Sequence, residues 1–353
     1  MPDVPATLHA EPATTEPADA HFVSLRVRDV VRETPDAISL VLDVPEASAQ
    51  RFRYQAGQFL TLLVCVDGRE LRRCYSMSSS PALGDDLRIT VKRDGVVSNW
   101  LNDTAAPGSE VRAAPPQGRF LLEDTDRELV GFAGGSGITP VFSLLSSALA
   151  SSERRTRLFY ANRHRASVIF HDALSALAQR HPGRLTVQHH LDHERGLTSA
   201  DHVAAFVSGV GDADFYICGP GPFMDTVEAT LIGHGVPAHR LHLERFEVAA
   251  ASLRAAPGGD AHATERVTIV LGRNTVTATY GKGDTLLQTA RMAGLQAPSS
   301  CETGSCGTCM ARITEGGARM LNNDALDADE VAEGWVLTCQ AVPTSRTVRV
   351  VYE

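Results

Sequence analysis

The sequence predicts three domains: an antiparallel β-barrel, a doubly wound α/β domain with a parallel sheet, and a small α+β domain. Three observations predict this order. Short alternating or β-branched segments fill the first part of the chain, apolar strands alternate with helical stretches in the middle, and closely spaced cysteines mark the last part. The length of 353 residues suits two or three domains of ordinary size.

The first two segments of the chain differ in composition. Residues 1–20 have neither the basic start nor the apolar centre of a secretory signal, and their Pro, Ala, Thr and acidic residues predict a disordered tail. Residues 21–124 predict the barrel, because strand-like runs are separated there by Gly, Pro and Asp. Its clearest strands are expected at residues 23–28, 38–42, 59–64 and 87–91.

Residues 125–248 predict the α/β domain, because strand-like and helical stretches alternate there. Residues 249–264 contain Pro-Gly-Gly and few large apolar residues, so they predict a linker. Residues 265–353 form the last domain, in which two strands precede a helix capped by Asp284 and ending at Gly294. In the α/β domain, strands are expected at residues 128–133, 157–160, 184–187 and 214–218, and helices at 140–150 and 221–233.

Composition and charge exclude several classes of protein. A hydrophobic content of 43% and a charged content of 21% are those of a soluble globular chain, and no apolar run approaches the ~20 residues needed to span a bilayer. A net charge of −9 without a basic cluster argues against nucleic-acid binding. Cys65, Cys74 and Cys218 are scattered, which fits a reducing cytoplasm better than a disulfide framework.

Four other cysteines, Cys301, Cys306, Cys309 and Cys339, follow the pattern C-x4-C-x2-C-x29-C. This spacing is typical of a plant-type [2Fe-2S] cluster, which binds three thiolates in one loop and a distant fourth. Zinc is the main alternative, but structural zinc sites prefer paired short-range cysteines and only one such pair is present here. Four unrelated buried thiols are the other alternative. The cluster interpretation is favoured, and it implies transfer of single electrons.

Two motifs in the barrel carry residues suited to a flavin. In Arg73-Cys-Tyr75-Ser76, an arginine can pair with a diphosphate, a tyrosine can pack on a flavin ring, and a serine can hydrogen-bond a ring nitrogen. A solvated strand end is the alternative. In the second motif a glycine turn leads into the start of a helix, with a serine hydroxyl close to the first amides of the helix, which predicts an anion site. Ser98 is alternatively an ordinary N-cap, and the two interpretations are compatible. This second motif comprises Val91, Lys92, Gly95, Val97 and Ser98.

A glycine-rich segment, Gly131-Phe-Ala-Gly134-Gly135-Ser-Gly137-Ile-Thr139-Pro140, lies between a predicted strand and a predicted helix. Its glycines allow a phosphate to approach the backbone, Thr139 can cap the helix and Pro140 suits its first position. A structural turn is the alternative, and the segment is not G-x-G-x-x-G. Cys218-Gly-Pro follows another strand, where ligands gather in open sheets, although a lone cysteine is usually a buried small hydrophobe. We expect Gly118-Arg-Phe120 to be a barrel-closing turn with little chemistry.

In this order, the motifs resemble the ferredoxin–NADP reductase superfamily over nearly the whole chain after residue 21. The resemblance implies that an FAD lies in the barrel, that a pyridine nucleotide lies on the α/β domain, and that Ser76, Cys218 and Glu244 act at the reacting rings. It implies FAD contacts for Arg73, Tyr75, Ser76, Val91, Lys92, Gly95, Val97, Ser98 and Phe246, and nucleotide contacts for Gly134, Gly135, Gly137, Thr139, Arg163 and Cys218.

The domain order resembles that of reductase components of multicomponent oxygenases, of the 3-ketosteroid 9α-hydroxylase or phenylacetyl-CoA epoxidase type. The resemblance implies a β-grasp-like ferredoxin domain at the C-terminus. It also implies a monomer that passes electrons from NAD(P)H through FAD and a [2Fe-2S] cluster to a terminal oxygenase, of Rieske type in steroid or aromatic catabolism. A stand-alone reductase for a soluble ferredoxin or cytochrome is one alternative. A redox sensor is another, but no segment outside the three domains is long enough for an output module.

The choice of nucleotide and the docking of the partner rest on charged residues. Arg163 and Arg165 follow the second α/β strand, where a 2′-phosphate would bind, so NADPH is possible, whereas the steroid-type resemblance favours NADH. Acidic residues between 324 and 333 could steer a basic partner onto the last domain, although a solubilising surface is the other interpretation.

Overall fold

The computed structural model describes residues 22–246, 264–299, 304, 306–323 and 325–352. The predicted tail at residues 1–20 and nearly all of the predicted linker at residues 249–264 lie outside these residues. In the described part of the chain, no helix is both long and apolar enough to cross a membrane.

The first domain is an antiparallel sheet of six strands in the order β4-β3-β6-β1-β2-β5. Its edges approach each other where Met77 pairs with Ile89, which closes the sheet into a barrel. Alternating apolar residues from the strands fill the interior, and the one helix packs on β5. The elements are β1 (Val23–Thr34), β2 (Ala37–Asp43), β3 (Phe59–Val66), β4 (Arg69–Ser76), β5 (Arg88–Lys92), α1 (Val96–Thr104) and β6 (Glu110–Ala113).

The second domain is a five-stranded parallel sheet in the order β11-β10-β7-β8-β9, covered by helices. The strand order reverses between β7 and β10, so ligands are expected at the carboxyl ends of these two strands. The elements are β7 (Glu128–Gly134), α2 (Ile138–Ser151), β8 (Thr156–Asn162), α3 (His171–Arg180), β9 (Leu185–Leu191), α4 (Asp192–Arg195), α5 (Ala200–Val207), β10 (Ala213–Cys218), α6 (Gly221–Gly233) and β11 (Leu241–Glu244).

Helix α2 joins the first two domains. It is buried on nearly all sides, because one face covers the parallel sheet and the opposite face packs on the barrel. Small polar residues allow this close approach: Ser143 Oγ donates to the carbonyl of Ser79 at 2.6 Å, and Ser147 Oγ lies 2.8 Å from Ser80 Oγ. The carboxyl ends of the parallel strands are thereby held beside strand β4 of the barrel.

The third domain has a five-stranded sheet in the order β13-β12-β18-β14-β16 and a two-stranded sheet of β15 and β17. Its first strand, β12, pairs in parallel with the last, β18, so the two ends of the domain meet in the centre of the sheet. The elements are β12 (Arg266–Leu271), β13 (Asn274–Thr279), α7 (Leu286–Met292), β14 (Met310–Glu315), β15 (Ala318–Met320), α8 (Ala328–Ala332), β16 (Trp335–Leu337), β17 (Ala341–Pro343) and β18 (Thr347–Tyr352).

Three capping predictions are wrong by a few residues. Helix α7 is capped by Thr285, whose hydroxyl accepts from Gln288 N, and not by Asp284. Thr139 lies inside α2, whose cap is Gly137, and its hydroxyl donates to the carbonyl of Ser136 instead. Ser98 likewise lies inside α1. In each case the N-cap lies one to three residues from the side chain that was expected to cap the helix.

Candidate functional site

A cleft of about 740 Å³, including its open mouth, lies where the barrel meets the second domain. The structure brings together here most of the residues that the sequence predicts to contact FAD. Five further residues that were not predicted also line the cleft: Cys74, Thr90, Asp94, Val96 and Ser136. The lining residues are Arg73, Cys74, Tyr75, Ser76, Thr90, Lys92, Asp94, Gly95, Val96, Val97, Ser98, Ser136, Thr139 and Phe246.

Val91 is placed differently from the other residues of its motif. Its side chain is fully buried in the barrel core, and its carbonyl accepts from Asn102 Nδ2 at 3.1 Å. Strand alternation explains this position, because successive side chains of β5 point to opposite faces and Lys92 takes the face toward the cleft.

Part of the cleft lining is suited to a diphosphate. Gly95 has φ +138° and caps α1, so the first amides of this helix are available to an anion. The hydroxyl of Ser98 accepts from Asp94 N at 2.8 Å and donates to the carbonyl of Gly95 at 3.1 Å, which holds the turn rather than capping the helix. Arg73 and Lys92 add positive charge to the same cleft. This donor set fits the pyrophosphate of FAD.

The cleft lining also contains two aromatic side chains that suit a planar ring. Tyr75 and Phe246 come from different domains and both line the cleft. Burial raises the pKa of Tyr75, so its ring remains neutral and apolar at physiological pH. Phe246 leaves 40% of its surface exposed, which is unusual for a large apolar side chain beside a cleft. The two aromatic walls fit an isoalloxazine.

A buried hydrogen bond links the two domains at the inner end of β4. Ser76 Oγ donates to Glu244 Oε2 at 3.1 Å, and the two residues are 3% and 6% exposed. Glu244 ends β11 directly opposite Cys218, which ends β10 and is fully buried. Ser76, Cys218 and Glu244 are therefore brought together at the switch point of the parallel sheet, although they are far apart in sequence.

The glycine-rich segment packs against the turn that follows Cys218. A Cβ atom at Gly137 would lie 2.1 Å from the carbonyl oxygen of Cys218, and one at Gly134 would lie 2.8 Å from Pro220. Gly135 has φ +53° and faces Lys92 of the barrel, 3.5 Å from the position of a Cβ atom. Only glycines therefore allow the two loops to meet at the carboxyl ends of β7 and β10.

We expect Gly137→Ala to lower the free energy of unfolding by about 3 kcal/mol, because the backbone of residues 218 and 219 would have to move. The φ of Gly137 is −60°, so steric overlap alone carries the effect. Urea denaturation measures it, with Gly211→Ala as the matched control, since a Cβ atom there meets open space. Equal stabilities of the two variants would contradict this close approach.

Arg163 lies away from the cleft, directly after β8, and its side chain is exposed. Its carbonyl accepts from His193 N, so it is held beside helix α4 at the end of the next strand. Burial raises the pKa of Asp192 in this helix, and the charges of His190 and Arg163 counteract the rise. In doubly wound folds, residues that follow the second strand contact the adenosine ribose of a bound dinucleotide, and Arg163 has this position.

The predicted cluster ligands lie in the third domain, except that Cys301 is outside the described residues. Cys309 and Cys339 are buried in the core of the domain, and Thr338 joins them by donating its amide and its hydroxyl to the carbonyl of Cys309. Among the described residues, no three His, Cys, Asp or Glu side chains form a group that could hold a metal ion, so the described thiols alone do not make up a ligand set. Soft thiols held beside glycine turns at Gly304 (φ +90°) and Gly307 (φ +76°) fit an iron–sulfur cluster.

The segment around Gly118 lies close to Glu244 and to the third domain. It lines a second cavity, with Phe59, Arg119, Phe120, His242, Leu243 and Glu244, beside the Ser76–Glu244 contact. Gln117 Nε2, just before it, donates to Thr308 Oγ1 of the third domain at 3.3 Å. The Gln117–Thr308 contact joins residues 191 apart in sequence, so no local motif predicts it.

Comparisons with known proteins agree with these sites. Residues 24–121 match the oxidoreductase FAD-binding domain family, residues 132–229 match the oxidoreductase NAD-binding domain family, and residues 269–344 match the 2Fe-2S iron-sulfur cluster binding domain family. These matches confirm the predicted FAD, NAD(P)H and [2Fe-2S] cluster and leave no support for the zinc alternative.

Relatives over the full length agree as well. The ferredoxin reductase component of 3-ketosteroid-9-alpha-monooxygenase from Mycolicibacterium smegmatis is 40% identical, over 96% of this chain and 99% of the relative. One subunit of 1,2-phenylacetyl-CoA epoxidase from Escherichia coli is 30% identical, over 94% of this chain and 98% of the relative. The solved structure of phthalate dioxygenase reductase superposes with a TM-score of 0.64 at 26% identity, over 96% of this chain and all of that chain, which confirms the predicted fold class.

The three domains, their order and the full-length relatives lead to one assignment. The chain belongs to the family of ferredoxin reductase components of oxygenases, and it is an NAD(P)H-dependent oxidoreductase that passes electrons through FAD and a [2Fe-2S] cluster to a terminal oxygenase.

Proposed function

We propose that this reductase serves a Rieske-type oxygenase that acts on a 3-ketosteroid, with NADH as its electron donor. The observation that carries the proposal is 40% identity over 96% of the chain to the reductase component of 3-ketosteroid-9-alpha-monooxygenase. The relative from 1,2-phenylacetyl-CoA epoxidase, at 30% identity, supports an epoxidase partner as the second candidate.

The geometry supports a role for each predicted group. Bound FAD would accept two electrons as hydride and release them singly, which a one-electron cluster requires. Arg73, Lys92 and the amides of α1 would hold its pyrophosphate, while Tyr75 and Phe246 would cover its ring. The contact between Ser76 and Glu244 lies between the flavin cleft and the nucleotide sheet, which supports a role in orienting the reacting rings.

The nucleotide and cluster roles follow the same reasoning. The nucleotide pyrophosphate would lie beside Gly135, on the side of Lys92, while Gly134 and Gly137 let this loop pack against the turn after Cys218. Cys218, at the end of β10 opposite Glu244, would contact the nicotinamide. Cys301, Cys306, Cys309 and Cys339 would bind the two irons.

Reconstitution with purified oxygenase components tests the partner. We expect NADH-dependent 9α-hydroxylation of a 3-ketosteroid when the reductase is mixed with a steroid-type oxygenase, and slower turnover with the other components of a phenylacetyl-CoA epoxidase. Faster epoxidation would favour the second candidate. Rapid reduction of cytochrome c with coupling to neither oxygenase would favour a stand-alone reductase, and slow bleaching of the flavin and cluster bands by NADH would favour a redox sensor.

We expect Arg163→Ala to raise the KM for NADPH about tenfold and to change the KM for NADH little, because only NADPH has a 2′-phosphate for the guanidinium to bind. Initial rates with both nucleotides measure this selectivity. Arg180→Ala, in the last turn of α3, is the control for the loss of one exposed charge. An unchanged ratio of the two KM values would remove Arg163 as a selector.

We also propose that the protein works as a monomer in the cytoplasm, with domain boundaries at residues 21–124, 125–248 and 265–353. None of the described cysteines forms a disulfide, which agrees with a reducing compartment. Thr264 already donates its hydroxyl to the carbonyl of Ser345, so the last domain is anchored from this residue onward.

A further inference from the structure

A line of neighbouring residues, joined first by strand pairing and then by hydrogen bonds, leads from the flavin cleft to a predicted cluster ligand. Phe59 in β3 pairs with Ser76 in β4, and the backbone groups of Phe59 and Gln117 exchange two hydrogen bonds of 2.8 and 3.0 Å. The side chain of Gln117 then donates to Thr308 Oγ1 at 3.3 Å, and this oxygen lies 3.2 Å from Cys306 Sγ. Only the hydroxyl group of Thr308 thus separates Gln117 of the barrel from the sulfur of the predicted cluster ligand Cys306.

The chemistry of the Thr308 hydroxyl decides the direction of these bonds. A cysteine that binds iron is a thiolate and has no proton, so the hydroxyl must donate to the sulfur. Gln117 Nε2 can only donate, and it occupies a lone pair of the same oxygen. Its contact therefore turns the hydroxyl proton toward Cys306 Sγ. Gln117 Oε1 is buried without a hydrogen-bond partner among the described residues. Burying an unpaired oxygen costs desolvation free energy, and a leucine at this position would avoid that cost.

Two other contacts hold the third domain against the barrel on either side of this line. Arg119 lies 3.5 Å from Glu330 in α8, and Arg72 Nη1 donates to Ser299 Oγ at 3.2 Å. Glu330 belongs to the acidic group in which the sequence suggested a partner site, so part of that group contacts the barrel instead. Ser299 and Thr308 are therefore both held against the barrel.

We propose that Gln117 is a positioning residue that raises the reduction potential of the [2Fe-2S] cluster while the third domain contacts the barrel. A hydrogen bond donated to a ligand sulfur stabilises the additional negative charge of the reduced cluster. The contact thereby favours transfer of one electron from reduced FAD to the cluster, a step in which no bond forms or breaks. When the domain leaves the barrel the hydroxyl loses its fixed orientation, the potential falls, and donation to the oxygenase becomes more favourable.

Redox titration of the cluster, followed by its electron paramagnetic resonance signal, tests this inference, which rests on the proposed electron path. Gln117→Leu and Thr308→Val should each lower the potential, and the double variant should lower it no further than Thr308→Val, because both act through one hydroxyl. Thr308→Ser keeps the hydroxyl and should retain the wild-type potential. In stopped-flow traces the cluster of Gln117→Leu should be reduced about fivefold more slowly, with the rate of flavin reduction by NADH unchanged.

Hydrogen exchange separates positioning from folding. In Gln117→Leu, amides of residues 114–121 and 306–310 should exchange faster, and those in the interior of the parallel sheet should be unchanged. Wild-type potentials in both Gln117→Leu and Thr308→Val would overturn the inference while leaving the proposed function intact. Failure of NADH to reduce the wild-type cluster would overturn both. Additive effects of the two substitutions would overturn the role of the shared hydroxyl.

Discussion

Cys339→Ser is expected to abolish the cluster and to lower electron delivery to cytochrome c or an oxygenase by about 100-fold or more. Cys339 is buried in the core of the third domain, so a harder oxygen ligand there would be poorly placed and poorly matched to iron. NADH-dependent reduction of ferricyanide should be retained, because FAD alone can supply it. Visible absorbance measures cluster loss, and the two electron acceptors separate the flavin and cluster steps.

Cys65→Ser is the matched control, because this thiol is exposed on the barrel. It should leave both the absorbance and the electron transfer unchanged. A Cys339→Ser protein with a full [2Fe-2S] spectrum would show that the fourth ligand is another residue. Loss of ferricyanide reduction as well would indicate that the third domain is needed for folding of the flavin and nucleotide domains.

Ser76→Ala is expected to slow hydride transfer from NADH to FAD by about 100-fold, with little change in the Kd of FAD. The alanine removes the hydroxyl that Glu244 binds at 3.1 Å and leaves a buried carboxyl without this donor. Stopped-flow absorbance at the flavin band measures the rate. Glu244→Gln should slow it as well, and the double variant should be less impaired than the product of the two effects, because the side chains act as a pair.

Ser78→Ala provides the control for loss of a buried hydroxyl in the same segment. Ser78 Oγ lies 2.8 Å from Thr90 Oγ1 in strand β5. The Ser78→Ala substitution should lower the free energy of unfolding and leave the rate of hydride transfer from NADH to FAD unchanged. Equal rates in Ser76→Ala and wild type would show that the Ser76–Glu244 contact serves only to join the domains.

Strand positions were predictable where the apolar pattern is strong and not where charge obscures it. The predicted strands at residues 59–64 and 214–218 lie within β3 and β10, whose residues are almost all buried. Strand β4, with the sequence RELRRCYS, was predicted only at its end, where a solvated strand end was the alternative for Arg73-Cys-Tyr75-Ser76, because the strand lies at a sheet edge and its charged side chains reach solvent. Strand β11 was also missed because it has only four residues.

Short motifs were sufficient to predict the three cofactors, because the chemistry of each is concentrated in a few adjacent residues. Cys306 and Cys309 in one loop indicate a cluster, and the glycines before α2 indicate a nucleotide. Caps were less predictable: Thr139 and Ser98 have suitable side chains, yet the chain turns at Gly137 and Gly95, where neighbouring loops leave room only for glycine or require a positive φ.

Fold class and the cluster ligands could be read from the amino-acid sequence, since periodicity and ligand spacing are local properties, whereas FAD, the nucleotide and the order of electron transfer followed from the resemblance to a known family. The contacts that connect the cofactors could not be predicted in either way. Ser76 meets Glu244, 168 residues away, and Gln117 meets Thr308, 191 residues away, only because α2 joins the barrel to the parallel sheet and the third domain packs on the barrel. Hydrogen bonds over such separations depend on domain packing, and no local pattern encodes them.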